Sequence, residues 1–403
     1  MERAMPRRLL VVLGALSAFG PLSMDLYLPA LPQLSADLHS TEAIGQLTVT
    51  ACMIGLALGQ LLVGPISDRF GRRLPLLIGV GAYAVTSLAC ALATDMGVLI
   101  VLRLAEGVAG GAGIVIARAV VRDRCDTAEA ARVFSLLMLV TGAAPILAPV
   151  IGGQLLRLAP WQGTFVALTV IGCALLLAAL LGVPESLPAE RRAEAGLGRM
   201  ARQTVDVLRD RRFVGYTAAF ALGSGMLFCY ITMSPFVLQG EFGLSAQGFS
   251  LVFAANAVGL MAGGPVSARL IRRIGPGRTL TVGLAAAVVL AAALTVCTLL
   301  GAGLPVLIPL LFLTVSTVSF MMPTSTALAL TDQGARAGTA SGLMGLAQFG
   351  LGGAIPPLAS IGGATAVVMT VSMLACAVAA LAVRGLVARV ERRAPVAVPA
   401  EEA

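Results

Sequence analysis

Two carboxylates and two arginines sit inside otherwise apolar runs: Asp25 within 9–31, and Arg103, Glu106 and Arg118 within 97–121. An ionisable group in such a run is costly and is there to act. A carboxylate can take up and release a proton. Arginine cannot, because its guanidinium stays charged inside proteins. The chain has no lysine, so all 28 basic side chains are arginine, and its one histidine, His39, falls in a predicted external loop. In the second half of the chain, Glu241 and Asp332 also fall in loops. Asp25 and Glu106 are therefore the candidate proton carriers. Arg103 and Glu106 are three apart and share a helix face. Burial disfavours a charged carboxylate and a neighbouring arginine favours it. Glu106 then either carries a proton or only neutralises Arg103. Arg118, deeper than the loop arginines, either binds Asp123 or lines an internal cavity.

Other chemistries find no support. The seven cysteines (Cys52, Cys90, Cys125, Cys173, Cys229, Cys297 and Cys376) are scattered singly, with no CxxC pair and no Cys/His cluster. No metal site or disulfide is expected. No GxxxxGK[ST] loop exists, so a nucleotide is not the direct energy source. One histidine and few acids also argue against a membrane-embedded enzyme.

The elements that hold these groups follow from composition. The chain has 403 residues, 58% apolar and 12% charged, half the charge of a typical soluble domain at about 25%. A soluble enzyme, a disordered chain and a nucleic-acid binder are excluded. At roughly 20 residues per membrane helix, there is room for about twelve spans. Hydropathy places them at 9–31, 44–66, 74–93, 97–121, 133–156, 163–183, 213–238, 247–271, 279–300, 304–328, 339–360 and 364–385. The apolar run after Arg3, Arg7 and Arg8 continues through Pro21 and Asp25 to Leu31, which predicts an uncleaved first helix rather than a signal peptide. Asp25 lies sixteen residues after Leu9, about 24 Å along that helix, past mid-membrane.

Arginine placement sets the orientation. With the N-terminus cytoplasmic, Arg157 is the sole arginine in an external segment, and Arg103 and Arg118 fall within the fourth span. All the others are cytoplasmic, which also accounts for the net charge of +8 and puts both termini inside. The polar, arginine-rich stretch 184–212 reads as a cytoplasmic linker between six-helix halves at 1–183 and 213–385. The tail 386–403 is charged and proline-containing, and is expected to be disordered.

The halves repeat one another. GPISDRFGRR at 64–73 and GPVSARLIRR at 264–273 match at six of ten positions, at an offset that also pairs Gly142 with Gly342, Gly152 with Gly352 and Gly153 with Gly353. A duplicated six-helix unit with parallel halves follows, with any substrate site near mid-membrane between the repeats.

At this point the sequence resembles a known family. GPISDRFGRR looks like the loop signature of the major facilitator superfamily. RLAEGVAGG (103–111) resembles its fourth-span motif, and TGAAPILAPVIGG (141–153) the fifth-span motif of its drug:proton antiporters. MDLYLPALP (24–32), ARAVVRD (117–123) and SPFVLQGEFGLS (234–245) resemble the Bcr/CflA branch. Glu106, where that branch usually has glutamine, and MPTSTALAL (322–330) depart from it.

The resemblance implies an all-α membrane protein with twelve transmembrane helices in two pseudo-symmetric halves, the major facilitator fold. It implies a conformational gate of Gly64, Asp68, Arg69, Gly71, Arg72, Arg73 and Asp123, with Asp123 holding an arginine and Asp68 meeting the start of the eleventh span near Thr339. Ala268 replaces Asp68 in the second copy, so the lock is asymmetric. On the fifth span, Pro145 and Pro149 bend the helix, and Gly142, Gly152 and Gly153 admit a close neighbour. Gly259, Gly263 and Gly264 of the eighth span offer a small face to meet it. Arg103 matches the motif arginine and tunes a carboxylate; Asp25 matches an acid that drug exporters carry.

Candidate substrate contacts, from span membership alone, are Asp25, Tyr27, Met226, Phe228, Tyr230, Phe236, Asn256 and Gln348. The expected function is proton-driven export of antibiotics or other small amphipathic compounds across a bacterial cytoplasmic membrane. The expected transporter is a monomer that uses no cofactor beyond the proton gradient and no nucleic acid. The alternatives are a proton-coupled uptake symporter for a sugar or metabolite and, remotely, a membrane-embedded enzyme. Pro184-Glu185-Ser186 resembles a sugar-transporter pattern, but related drug exporters carry a similar Pro-Glu pair. The proline-glycine fifth helix disfavours uptake.

Overall fold

Thr41, Asp95, Asp126, Asp210 and Ser245 each precede an apolar run and accept a backbone N–H from the first turn of the helix that follows. Such caps satisfy donors that the helix leaves open. They fix where the second, fourth, fifth, seventh and eighth spans begin: Glu42–Phe70, Met96–Arg124, Thr127–Leu155, Arg211–Pro235 and Ala246–Ile274. The computed structural model describes residues 6–188, 190, 192 and 204–393. Arg3 and residues 189, 191 and 193–203 of the 184–212 linker lie outside the described residues.

Among the described residues, ten helices are individually long and apolar enough to cross a membrane. Besides those five they are Arg73–Ala91, Gln162–Gly182, Pro276–Leu299, Leu304–Leu330 and the helix within Ala366–Arg393. The other two predicted spans are broken. The first bends by 42° between Arg8–Ser17 and Phe19–Asp37. Pro21 has no N–H for the Ser17 carbonyl and its ring crowds that turn, so the bend falls there. The eleventh runs as Ala337–Ala347, a π-helical turn Gln348–Gly352 and Gly353–Ala359. Pro356 and Pro357 leave the Gly352 and Gly353 carbonyls without helical partners, which favours the wider turn. The twelfth helix continues to Arg393. The start of the predicted disordered tail is therefore helical, and residues 394–403 lie outside the described residues.

Packing follows the small residues. A Cβ on Gly55 or Gly59 would overlap the carbonyl of Leu104 or Val108, and one on Gly107 would overlap the Cys52 carbonyl. These two small-xxx-small patterns bring the second and fourth spans into backbone contact. The halves meet through the fifth span on the eighth and the second on the eleventh. Those contacts are images of one another under the 200-residue repeat. The fifth–eighth contact is not the one expected. Gly259 and Gly263 face Phe312, Ser316 and Ser319 of the tenth span, and Gly264 has open space. It is Gly153 against Ser250 and Gly142 against Met261 that bring the fifth span to the eighth. The glycine face is one helix round from its predicted partner because the tenth span, within the same half, takes it.

Away from the arginine-rich loops the halves are joined by hydrogen bonds. Gln46 Nε2 donates to Ser360 Oγ at 3.0 Å, and Thr50 Oγ1 to the Gly353 carbonyl at 2.8 Å. The Ala364 N–H donates to Glu42 at 2.6 Å, and Gln247 Nε2 to the Gly153 carbonyl at 2.6 Å. Toward the arginine-rich end the halves part around a cavity.

Candidate functional site

The bent first span, the gap between the halves and the π-turn of the eleventh span leave a cavity of about 900 Å³. Its walls are largely apolar, with Asp25, Asp68, Gln60, Arg118, Tyr230 and Gln348 as polar points. Asp68, Gly338 and Thr339 line the arginine-rich end, so the cavity reaches the ends of the second and eleventh spans there.

Asp25 ends the second segment of the broken first helix and is 5% exposed. It lines the cavity. Among the described residues no side chain or backbone group forms a hydrogen bond or ion pair with its carboxylate. Glu106 is in a different setting. It is fully enclosed, receives Arg103 Nη1 at 2.5 Å and Ser87 Oγ at 2.7 Å, and does not line the cavity. Arg103 also donates through Nη2 to the Ser23 carbonyl at 2.6 Å, and its guanidinium lies 4.3 Å from the Tyr27 ring centre and 5.5 Å from that of Phe165. The Arg103–Glu106 pair thus binds the fourth span to the first and third. Asp25 makes no ion pair with it among the described residues.

The loop motif is built around Arg72, which is 3% exposed. Its Nη1 meets Asp68 at 2.6 Å and Ser67 Oγ at 2.7 Å, and its Nε meets Asp123 at 2.9 Å. Glu185, unassigned by the sequence reading, completes the cluster. Its carboxylate accepts the N–H groups of Arg72 at 2.8 Å and Arg73 at 3.2 Å, at the start of the third span. Ser186 Oγ reaches Asp123 at 3.1 Å. Partial burial alone would raise the Glu185 pKa, but the N–H groups of Leu187, Arg72, Arg73 and Ser186 hold it below the usual carboxylate range. Gly71 has φ +92°, a backbone that side chains rarely adopt, and a Cβ there would strike the Glu185 carboxylate at 2.5 Å. Arg73 donates to the Leu180 carbonyl at 3.0 Å, and Arg69 stacks on Phe70. Gly64 lines the cavity. Asp68 therefore pairs within its own half and shares a cavity wall with Thr339.

On the fifth span, Gly142 and Pro145 line the cavity. Gly152 packs on the Leu26 carbonyl at the break of the first span, and Gly153 on the eighth. Pro149 lies between them, within the same helix.

Of the substrate candidates, Asp25, Tyr230 and Gln348 line the cavity. Tyr27 is turned inward against Arg103 and Thr48 Oγ1, 3.0 Å from its hydroxyl. Met226 and Phe236 are packed in the core. Phe228 stacks behind Phe349, and Asn256 donates to the Tyr230 hydroxyl at 2.7 Å from behind. These five miss the lining because span membership does not say which helix face turns inward. Phe253, Met261, Phe349 and Arg118 line it instead. A place on the cavity was one of the two readings that the sequence left open for Arg118, and Phe349 was recoverable as the neighbour of Gln348; Phe253 and Met261 carried no signal beyond their spans.

Comparison with known proteins agrees with this architecture. The chain is 37% identical over 369 residues to the uncharacterized MFS-type transporter YdgK of Bacillus subtilis, covering 91% of this chain and 92% of that one. It is 31% identical over 373 residues to the bicyclomycin resistance protein homolog of Haemophilus influenzae, covering 92% and 93%. A bacterial homologue of the human lysosomal transporter Spinster, inward-facing and unoccupied, superposes with a TM-score of 0.75 at 16% identity over 98% of this chain and all of that one; this likeness concerns the fold alone. The model of the Major Facilitator Superfamily matches residues 13–357. Ten membrane-length apolar helices and one bent pair among the described residues, consistent with a twelve-helix fold, the cavity and this match together establish that the chain is a transporter rather than an enzyme, and that it belongs to the Major Facilitator Superfamily, in its Bcr/CflA branch.

Proposed function

We propose that the protein exports small amphipathic compounds, antibiotics among them, in exchange for protons. It would do so by alternating access in the cytoplasmic membrane of a bacterium, as a monomer with both termini inside. The observation that carries this reading is Asp25: a carboxylate without a partner among the described residues, on the wall of a largely apolar cavity. The other carboxylate enclosed among the spans, Glu106, is committed to Arg103 and Ser87. A carboxylate open to the cavity and without a fixed cation can exchange its proton with whichever side the cavity faces. With the arginine-rich end cytoplasmic, the cavity opens inward. Substrate entering from that side displaces the Asp25 proton to the cytoplasm. When the opposite end opens, substrate leaves and Asp25 is reprotonated from outside. The relatives named for bicyclomycin resistance and, at 31% identity over 62% of this chain, for multidrug resistance in Salmonella heidelberg support the substrate class. The fifth-span glycines, seated on the Leu26 carbonyl and on Ser250, seal the path that a leak would take.

The test is Asp25→Asn. The variant should reach the membrane in normal amount and lose at least about tenfold in drug efflux from cells, as expected when an essential proton-transfer group is removed. Purified wild type should release protons when drug is added, and the variant should not. Proton release by the Asn variant overturns the proposal.

A further inference from the structure

Besides Asp25 and Asp68, the cavity holds on its wall an ionisable group for which proton coupling has no use. Arg118 lines it and is exposed to it. Arg118 lies six residues before Arg124, the last residue of the fourth span, hence about 9 Å inside the helix end. That is deeper than topology-setting arginines such as Arg122 and Arg124. Among the described residues it makes no ion pair and no hydrogen bond. The neighbouring acids are committed elsewhere: Asp123 to Arg72 and Ser186, and Asp68 to Arg72. The sequence left open whether Arg118 binds Asp123 or lines the cavity, and the geometry places it on the cavity.

An unpaired cation among membrane spans is costly to keep, and a guanidinium cannot carry a proton. What it does well is hold a carboxylate or phosphate through two parallel N–H donors. Its distance from Asp25 follows from the helices. Ile114, one turn deeper than Arg118, sits against Gly20, and Asp25 is five residues beyond Gly20. The two charges are thus about 13 Å apart along one wall. Facing them are Tyr230, Phe253, Phe349 and Met261.

We propose that Arg118 anchors an anionic group of the substrate, so that the transporter accepts amphipathic anions whose apolar body lies against the aromatic wall. The proposal rests on reading the cavity as the transport path. At about 13 Å across a wet cavity, an anion on Arg118 and a charge on Asp25 interact weakly, so anchoring does not compete with protonation.

The probes are dansylglycine, an amphipathic anion, and its neutral amide, titrated by fluorescence against the full-length protein in nanodiscs. Wild type should bind the anion about tenfold more tightly, the scale of one charge-assisted contact. That preference should shrink with added salt. Arg118→Gln should weaken the anion about tenfold and leave the amide within about twofold; Arg118→Lys should retain a preference. Equal binding of both probes by wild type, no binding of either, or a salt-independent preference overturns the proposal, even where the Gln variant fails to fold. Equal weakening of both probes in Arg118→Gln overturns it as well, because that marks a packing role. The same titration on Asp25→Asn separates the two readings. A lost proton coupling leaves the anion preference in place, and a lost anion preference leaves proton release in place.

Discussion

Arg103 is held from four directions: the Glu106 carboxylate, the Ser23 carbonyl, and the rings of Tyr27 and Phe165. Glu106 in turn takes Ser87. The pair is sealed from the cavity, and Asp25 does not pair with Arg103 among the described residues, so Asp25 cannot supply balancing charge if Glu106 is lost. Removing one partner leaves a buried charge, which costs about 3–5 kcal/mol, whereas replacing both with neutral groups of similar volume is close to neutral. Glu106→Gln and Arg103→Met should each destabilise the purified protein by about 3 kcal/mol, and the double variant should recover most of that. Unfolding midpoints in detergent measure this. A Glu106→Gln variant as stable as wild type would show instead that the pair is not needed for folding.

At the scale of elements, the second and fourth spans are pressed together until only glycine fits. A methyl on Gly59 would overlap the Val108 carbonyl, and neither helix can withdraw without moving Arg103, Asp123 or Arg72. Gly264, on the repeat-related eighth span, has nothing within contact distance. Gly59→Ala should therefore cost several-fold in monodisperse protein recovered from membranes, in line with overpacking penalties of about 1–3 kcal/mol. Gly264→Ala should be neutral or slightly favourable, since alanine is the better helix former by about 1 kcal/mol. Fluorescence-detected size exclusion distinguishes them, and comparable losses at both positions would contradict the packing account.

At the scale of the whole molecule, one end is joined across the halves by Gln46–Ser360, Thr50–Gly353 and Glu42–Ala364, and the other is open. Alternating access requires those contacts to part while the arginine-rich end closes, bringing Asp68 toward the start of the eleventh span. The second copy has Ala268 at the matching position, so the closing contact is one-sided. Loss of a charge-assisted hydrogen bond of about 1.5 kcal/mol changes a two-state ratio about tenfold. Asp68→Asn should therefore favour the open arginine-rich end. In thiol-labelling experiments a cysteine at Thr339 should become more reactive and one at Ser360 less so, whereas Ala268→Asn should change neither appreciably. Equal effects from the two substitutions would remove the asymmetry.

What the sequence determined by itself is what depends on composition and period. Apolar run length set the spans, arginine bias set the expected orientation, and the 200-residue offset set the two related halves. Proline position alone did not locate the breaks: the apolar run of the first span reads as continuous through Pro21, and Pro145 and Pro149 lie within the unbroken helix Thr127–Leu155. What only the tertiary structure decided is which face of each helix turns inward. Met226, Phe228, Phe236, Asn256 and Tyr27 share spans with cavity residues but point into packing, while Arg118, Phe253 and Met261 point into the cavity. In a membrane, apolar side chains suit lipid, core and cavity alike, so hydropathy gives no face. Nor does spacing show that Glu185 closes on the third-span N-terminus more than a hundred residues away, or that Glu106 is sealed and Asp25 open. Those depend on the bend at Ser17 and the close approach of the second and fourth spans, which are properties of helices packed together rather than of any one of them.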